Sequence, residues 1–175
     1  DEAEKALEEV RDLIREIRER DRKVTEDVER LNREIREKLK EVTERVKRSN
    51  DDIRRLLEEG RDKREIKKLI EESNELVRKV VKEATELIRD SNRLVKEAVD
   101  TSRKLIKEVL DRVREMPVDK SILEELERLV RELRKESEKS LEDLERLNKK
   151  LEDEVRDILR KLNKLNEDLL RKVEE

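Results

Sequence analysis

Apolar residues recur along this chain every three or four positions with charged residues filling the gaps, the spacing that places one buried stripe on an α-helix. In the last third, Leu123, Leu141 and Leu159 are spaced 18 residues apart. Leu126, Leu144 and Leu162 follow the same interval, as do Leu129, Leu147 and Leu165, and Leu133, Leu151 and Leu169. The first third repeats through Val24 and Val42, Val28 and Val46, and Ile35 and Ile53; the middle third through Leu76 and Leu94, Val77 and Val95, and Leu87 and Leu105. That interval is about five turns of an unperturbed helix of about 3.6 residues per turn. A strict heptad would impose a left-handed supercoil, whereas this period keeps the stripe on one side of a nearly straight axis.

Gly60 and Pro117, the one glycine and the one proline, divide this pattern into thirds. Gly60 follows Leu56-Leu57-Glu58-Glu59, where a left-handed residue closes a helix at little steric cost. Asp62 and Glu65 then have capping-box spacing, as do Asp1 and Glu4 at the amino end. Pro117 lacks an amide and clashes with the preceding turn, so it stops the second helix at Met116. Asp119 is the N-cap expected for the third, with Val118 and Leu123 at the spacing of a hydrophobic staple. The pattern predicts helices over about residues 2–59, 63–116 and 120–175. Connections this short force antiparallel neighbours. The expected fold is therefore all-α: a straight, nearly untwisted up-down-up antiparallel three-helix bundle forming a single domain over 1–175.

Composition changes this picture in one respect. Charged residues make up 57% of the chain and there is no aromatic residue, Cys or His. Natural cores use aromatic side chains because they bury the most area per residue, so their absence points away from evolutionary sampling. Disorder is excluded by the strong periodicity and by the scarcity of Gly and Pro. The 48 basic and 51 acidic residues nearly cancel and alternate along the chain, so no field exists to attract nucleic acid or an anionic membrane. No apolar run approaches the roughly 20 residues needed to span a bilayer, and no targeting signal is visible. We expect a soluble protein, cytoplasmic in an expression host.

The most informative departures from simple patterning are polar residues inside the stripe. Asn32 and Asn50 are 18 residues apart, as are Thr25 and Thr43, Asn148 and Asn166, and Ser73-Asn74 and Ser91-Asn92. Folding the first helix back at Gly60 brings Ser49 and Asn50 level with Ser73 and Asn74, and the third helix is expected to add Asn163. The same construction sets Asn32 near Ser91 and Asn92, Thr85 near Asn148, and Asp21 and Thr25 near Thr101, Ser102 and Ser137. A polar group buried alone costs about 1–3 kcal/mol, so grouping at common heights points to hydrogen-bond networks that fix register. Asp21 falls on the core side, where it pairs with Thr101 or Ser102 or stays hydrated; partial hydration is the expectation.

With the steps Leu31-Asn32, Ser49-Asn50, Ser73-Asn74, Ser91-Asn92 and Leu147-Asn148 and the idealised caps, the whole chain resembles computationally designed helical bundles with buried hydrogen-bond networks. That group includes designed heterodimers and latching cage-type switches, which usually carry more helices and a latch. The resemblance implies a designed scaffold.

Catalytic chemistry finds little to work with. Nucleophilic catalysis needs an activated side chain beside a base, and neither His nor Cys is present. Carboxylate pairs such as Glu8-Glu9, Glu71-Glu72 and Glu124-Glu125 fall on solvated faces. Asn, Ser and Thr alone make poor metal cages. No catalytic, cofactor-binding or metal site is expected, and no partner is required. A competing expectation comes from the second helix. Its apolar and small polar positions, from Thr101 to Thr85, sweep roughly 200° of the wheel, wider than the ~100–140° of an ordinary core-facing helix. The excess suits a groove for a fourth, designed partner helix or for a second copy in a homo-oligomer.

Overall fold

The computed structural model describes residues 1–175 and contains three helices, α1 (Glu2–Glu58), α2 (Lys63–Glu115) and α3 (Lys120–Glu174), with no strand. Each ends one residue before the expected position; at α1 and α2 the closing turn takes the final residue out of helical geometry. Gly60 adopts φ 69°, and its amide donates to the Leu57 carbonyl at 3.2 Å while that of Arg61 donates to Leu56 at 3.1 Å. These are the paired bonds of a Schellman closure, which satisfy carbonyls that the end of α1 leaves without partners. At the next start, Asp62 Oδ1 accepts from the Arg64 amide at 3.0 Å, and Asp119 Oδ1 accepts from Ile122 at 3.0 Å. Each aspartate thus caps the first turn of the helix it precedes.

Contacts group the chain into two compact units, and each helix contributes a stretch to both. The first comprises residues 1–30 and 91–147. One core cluster there combines Val10, Ile14 and Ile17 of α1 with Ile106, Val109 and Val113 of α2 and Leu126, Val130 and Leu133 of α3. A second combines Val28 with Val95, Ala98, Leu141 and Leu144. Between the two, numbering rises along α1 and α3 and falls along α2, so α2 runs antiparallel to the other two.

The second unit comprises residues 31–90 and 148–175. Its clusters are Ile35, Leu39, Ala84, Ile88, Leu151 and Val155; Val42, Val46, Val77 and Leu162; and Ile53, Ile66, Ile70, Leu169 and Val173. The same antiparallel sense follows. Each Val, Leu or Ile buried this fully contributes about 1.5–3 kcal/mol of transfer free energy. One apolar column sits at the stripe edge: Leu147, in phase with Leu129 and Leu165, is 39% exposed. No helix is long and apolar enough to cross a membrane.

Candidate functional site

The residues that depart from an aliphatic core are the polar ones inside it. In the first unit Asp21, Ser102 and Ser137 are buried, one from each helix. Each lies one turn from members of both core clusters: Asp21 follows Ile17, Ser102 lies between Ala98 and Ile106, and Ser137 between Leu133 and Leu141. They therefore occupy one layer. Ser102 Oγ donates to Asp21 Oδ1 at 2.7 Å. The partial hydration expected of Asp21 is replaced by this bond, since only 8% of the residue is exposed.

Threonine behaves differently from the expectation. Thr25 Oγ1 donates to the Asp21 carbonyl at 2.9 Å, Thr43 Oγ1 to Leu39 at 2.7 Å, and Thr85 Oγ1 to Val81 at 2.8 Å. Each hydroxyl is spent on its own helix one turn back, a bond that closes without a neighbour. Thr101 is exposed, because it precedes the buried Ser102 and points about 100° away from it.

In the second unit the layer forms from Asn50, Ser73 and Asn166, which are all buried, with Asn74 half-buried beside them. Asn166 Nδ2 donates to Asn74 Oδ1 at 2.6 Å and to Ser73 Oγ at 3.4 Å. Asn163 was the residue expected here, and it is exposed. It follows Leu162 directly and so leaves the stripe, whereas Asn166 stands between the buried Leu162 and Leu169. The pairing of Asn148 with Asn166 at the repeat interval carried that signal. Ser49 is half-buried and Asn92 exposed, while Asn32, Ser91 and Asn148 are buried. Asn92, Ser91 and Asn148 each have an interaction partner.

No protein-family model and no curated protein sequence matches the chain. Among solved structures it is similar to one described as a computationally designed three helix bundle, at a TM-score of 0.50 and 18% identity, over 98% of this chain and 90% of that one. The fold is a three-helix bundle.

Outside the core, ion pairs cover the helix faces. Arg18 Nε and Nη2 meet Glu136 at 3.1 and 3.3 Å across α1 and α3, and Lys38 meets Glu83 at 3.3 Å across α1 and α2. Arg22 bridges Glu19 and Glu26 on one face of α1. Its hydrogen bond and charge hold the Glu19 carboxyl below the ordinary range of a glutamate. Solvent screens such exposed pairs, so they add little to stability.

A groove of about 580 Å³ runs between α2 and α3 of the first unit. Its floor is Val99, Ile106, Leu110 and Leu141. Arg103 and Lys107 line the α2 rim, while Glu138, Glu142 and Glu145, with Arg134, line the α3 rim.

Proposed function

We propose that the chain is a designed structural scaffold with no natural biochemical activity, in which buried polar layers specify how the helices align. The observation that carries this reading is the placement of polar side chains from all three helices at one height between aliphatic clusters. In the first unit these are Asp21, Ser102 and Ser137; in the second, Asn50, Ser73 and Asn166. A helix displaced by one turn would set these groups against leucine and valine, at about 1–3 kcal/mol for each group left unpaired. The similarity to a designed three-helix bundle supports the same reading. Light scattering coupled to size exclusion tests it: a self-contained scaffold gives one species near 21.2 kDa at every concentration.

The α2–α3 groove favours a second reading, an interaction module that pairs with another copy of itself. A two-fold axis parallel to the helices lays the α2 rim of one copy, with Arg103 and Lys107, over the α3 rim of the other, with Glu138, Glu142 and Glu145. Opposite charges then meet on both sides of the apolar floor. A mass that doubles with concentration, and returns to monomer in a Glu142→Lys, Glu145→Lys variant, supports this reading. Failure of both the parent and amphipathic-helix titrations to show association removes it.

A further inference from the structure

Within the second unit, Asn50 and Asn166 each bury a side-chain carbonyl oxygen, Oδ1, that accepts no hydrogen bond. The residues are 5% and 1% exposed, so bulk water does not serve them. They also share a height. Asn50 lies between Val46 and Ile53, Ser73 between Ile70 and Val77, and Asn166 between Leu162 and Leu169, and those flanking residues form the two adjoining clusters. Two amide oxygens left without donors in such a setting give up their hydration with nothing in return.

No protein hydrogen bond reaches either oxygen. The Asn166 amide nitrogen is directed at Asn74 Oδ1 and Ser73 Oγ, which turns its carbonyl away from them. Ser73 accepts in that contact and keeps its own proton to give. A bound water needs about two to four polar partners, and Asn50 Oδ1, Asn166 Oδ1 and the Ser73 hydroxyl are three.

We propose that this layer is a binding site for an internal water, which donates one hydrogen to Asn50 Oδ1 and the other to Asn166 Oδ1 and accepts from the Ser73 hydroxyl. Two buried acceptors at one height of the bundle call for a species that donates twice. Water is the smallest neutral molecule that does so and also accepts a third bond. The site links all three helices through a single exchangeable molecule, so its occupancy reports whether α1, α2 and α3 are in their native alignment.

An atomic-resolution crystal structure of the full chain, with water–protein cross-relaxation NMR on the Asn50 and Asn166 side-chain amides, tests the assignment. The expected result is one ordered water within hydrogen-bond distance of both Oδ1 atoms, and long-lived cross-peaks that are lost in Asn50→Leu. Two results overturn it. One is a direct bond between Asn50 and Asn166, reached by turning over the Asn74 and Asn166 amides. The other is a sodium, potassium or ammonium ion at the site, shown by occupancy that follows the salt used. The parent chain alone decides between these, whether or not the variant folds.

Discussion

Removing the Ser102 hydroxyl isolates the contribution of its bond to Asp21 across α1 and α2, with minimal steric change. Ser102→Ala deletes one oxygen and leaves Asp21 Oδ1 without the donor now 2.7 Å away, in a residue that is 8% exposed. Hydrogen bonds to a charged acceptor contribute about 1.5–3 kcal/mol, so a loss of about 2 kcal/mol is expected. At an m-value of roughly 4 kcal/mol/M in guanidinium, the unfolding midpoint falls by about 0.5 M with m unchanged. Thr101→Ala, its exposed neighbour, is the control and should stay within about 0.5 kcal/mol of the parent. The bundle also contains its own aliphatic version of the pair. Leu39 and Ala84 stand one repeat from Asp21 and Ser102, and both are buried in one cluster. The double variant Asp21→Leu, Ser102→Ala recreates that pair and should be at least as stable as the parent, giving a coupling of about 2 kcal/mol in a double-mutant cycle. Equal losses for Ser102→Ala and Thr101→Ala, or strictly additive single effects, would refute the assignment of this energy to the Asp21–Ser102 bond.

Three further outcomes can be checked by the same or simpler measurements. Gly60→Ala meets no atom within 4 Å but must hold φ 69°, so guanidinium denaturation should show a loss of about 1–2 kcal/mol from backbone strain alone. Leu126→Ala removes a fully buried side chain from the first unit's core and should cost about 2–5 kcal/mol by the same assay. Glu19 should titrate below an ordinary glutamate in carboxyl-detected NMR and return to the ordinary range in Arg22→Ala. Because its folded value is the lower one, the Glu19–Arg22 contribution is present above the unfolded pKa and is lost as pH falls through the folded one.

The helices were legible because their signals are local. Gly60, Asp62, Pro117 and Asp119 act within one turn of themselves, and every boundary fell within one residue of expectation. The antiparallel order followed from the short connections, whose length leaves no other path. The polar positions were harder, because a buried place depends on about 100° of helical phase and on the height at which a third helix arrives. Asn50 and Ser73 straddle a short turn, so counting outward from Gly60 suffices. Asn166 is reached only through two turns and the length of α2, and one helical turn of accumulated error separates it from Asn163. Threonine was misread for a different reason: its hydroxyl finds a carbonyl on its own helix, so a place inside the stripe does not make it a partner for another helix.

The aliphatic core by itself does not distinguish one 18-residue segment from the next. Val10, Val28 and Val46 recur on α1 with Ile17, Ile35 and Ile53; Val77, Val95 and Val113 on α2 with Ile70, Ile88 and Ile106; and Leu126, Leu144 and Leu162 on α3 with Leu133, Leu151 and Leu169. All of these are buried. Within one chain the tight turns at Gly60 and Pro117 hold the offset, but between chains they do not, and an exchanged helix shifted by one repeat would bury the same valines, isoleucines and leucines. The columns that break the repeat are polar: Ile14, Asn32 and Asn50, and Asp21, Leu39 and Leu57, on α1. A one-repeat shift brings Asp21 opposite Ala84 and Val155, neither of which can donate to it, and losing a hydrogen bond to a charged acceptor costs about 1.5–3 kcal/mol. If these columns keep the chain to itself, a variant carrying Asp21→Leu, Asn32→Ile and Asn50→Ile should retain its helicity by circular dichroism. Its mass in light scattering should rise with concentration while the parent stays near 21.2 kDa. A variant that remains monomeric over the same range would mean that the turns alone enforce the alignment and that the buried amides and carboxylate serve some other end.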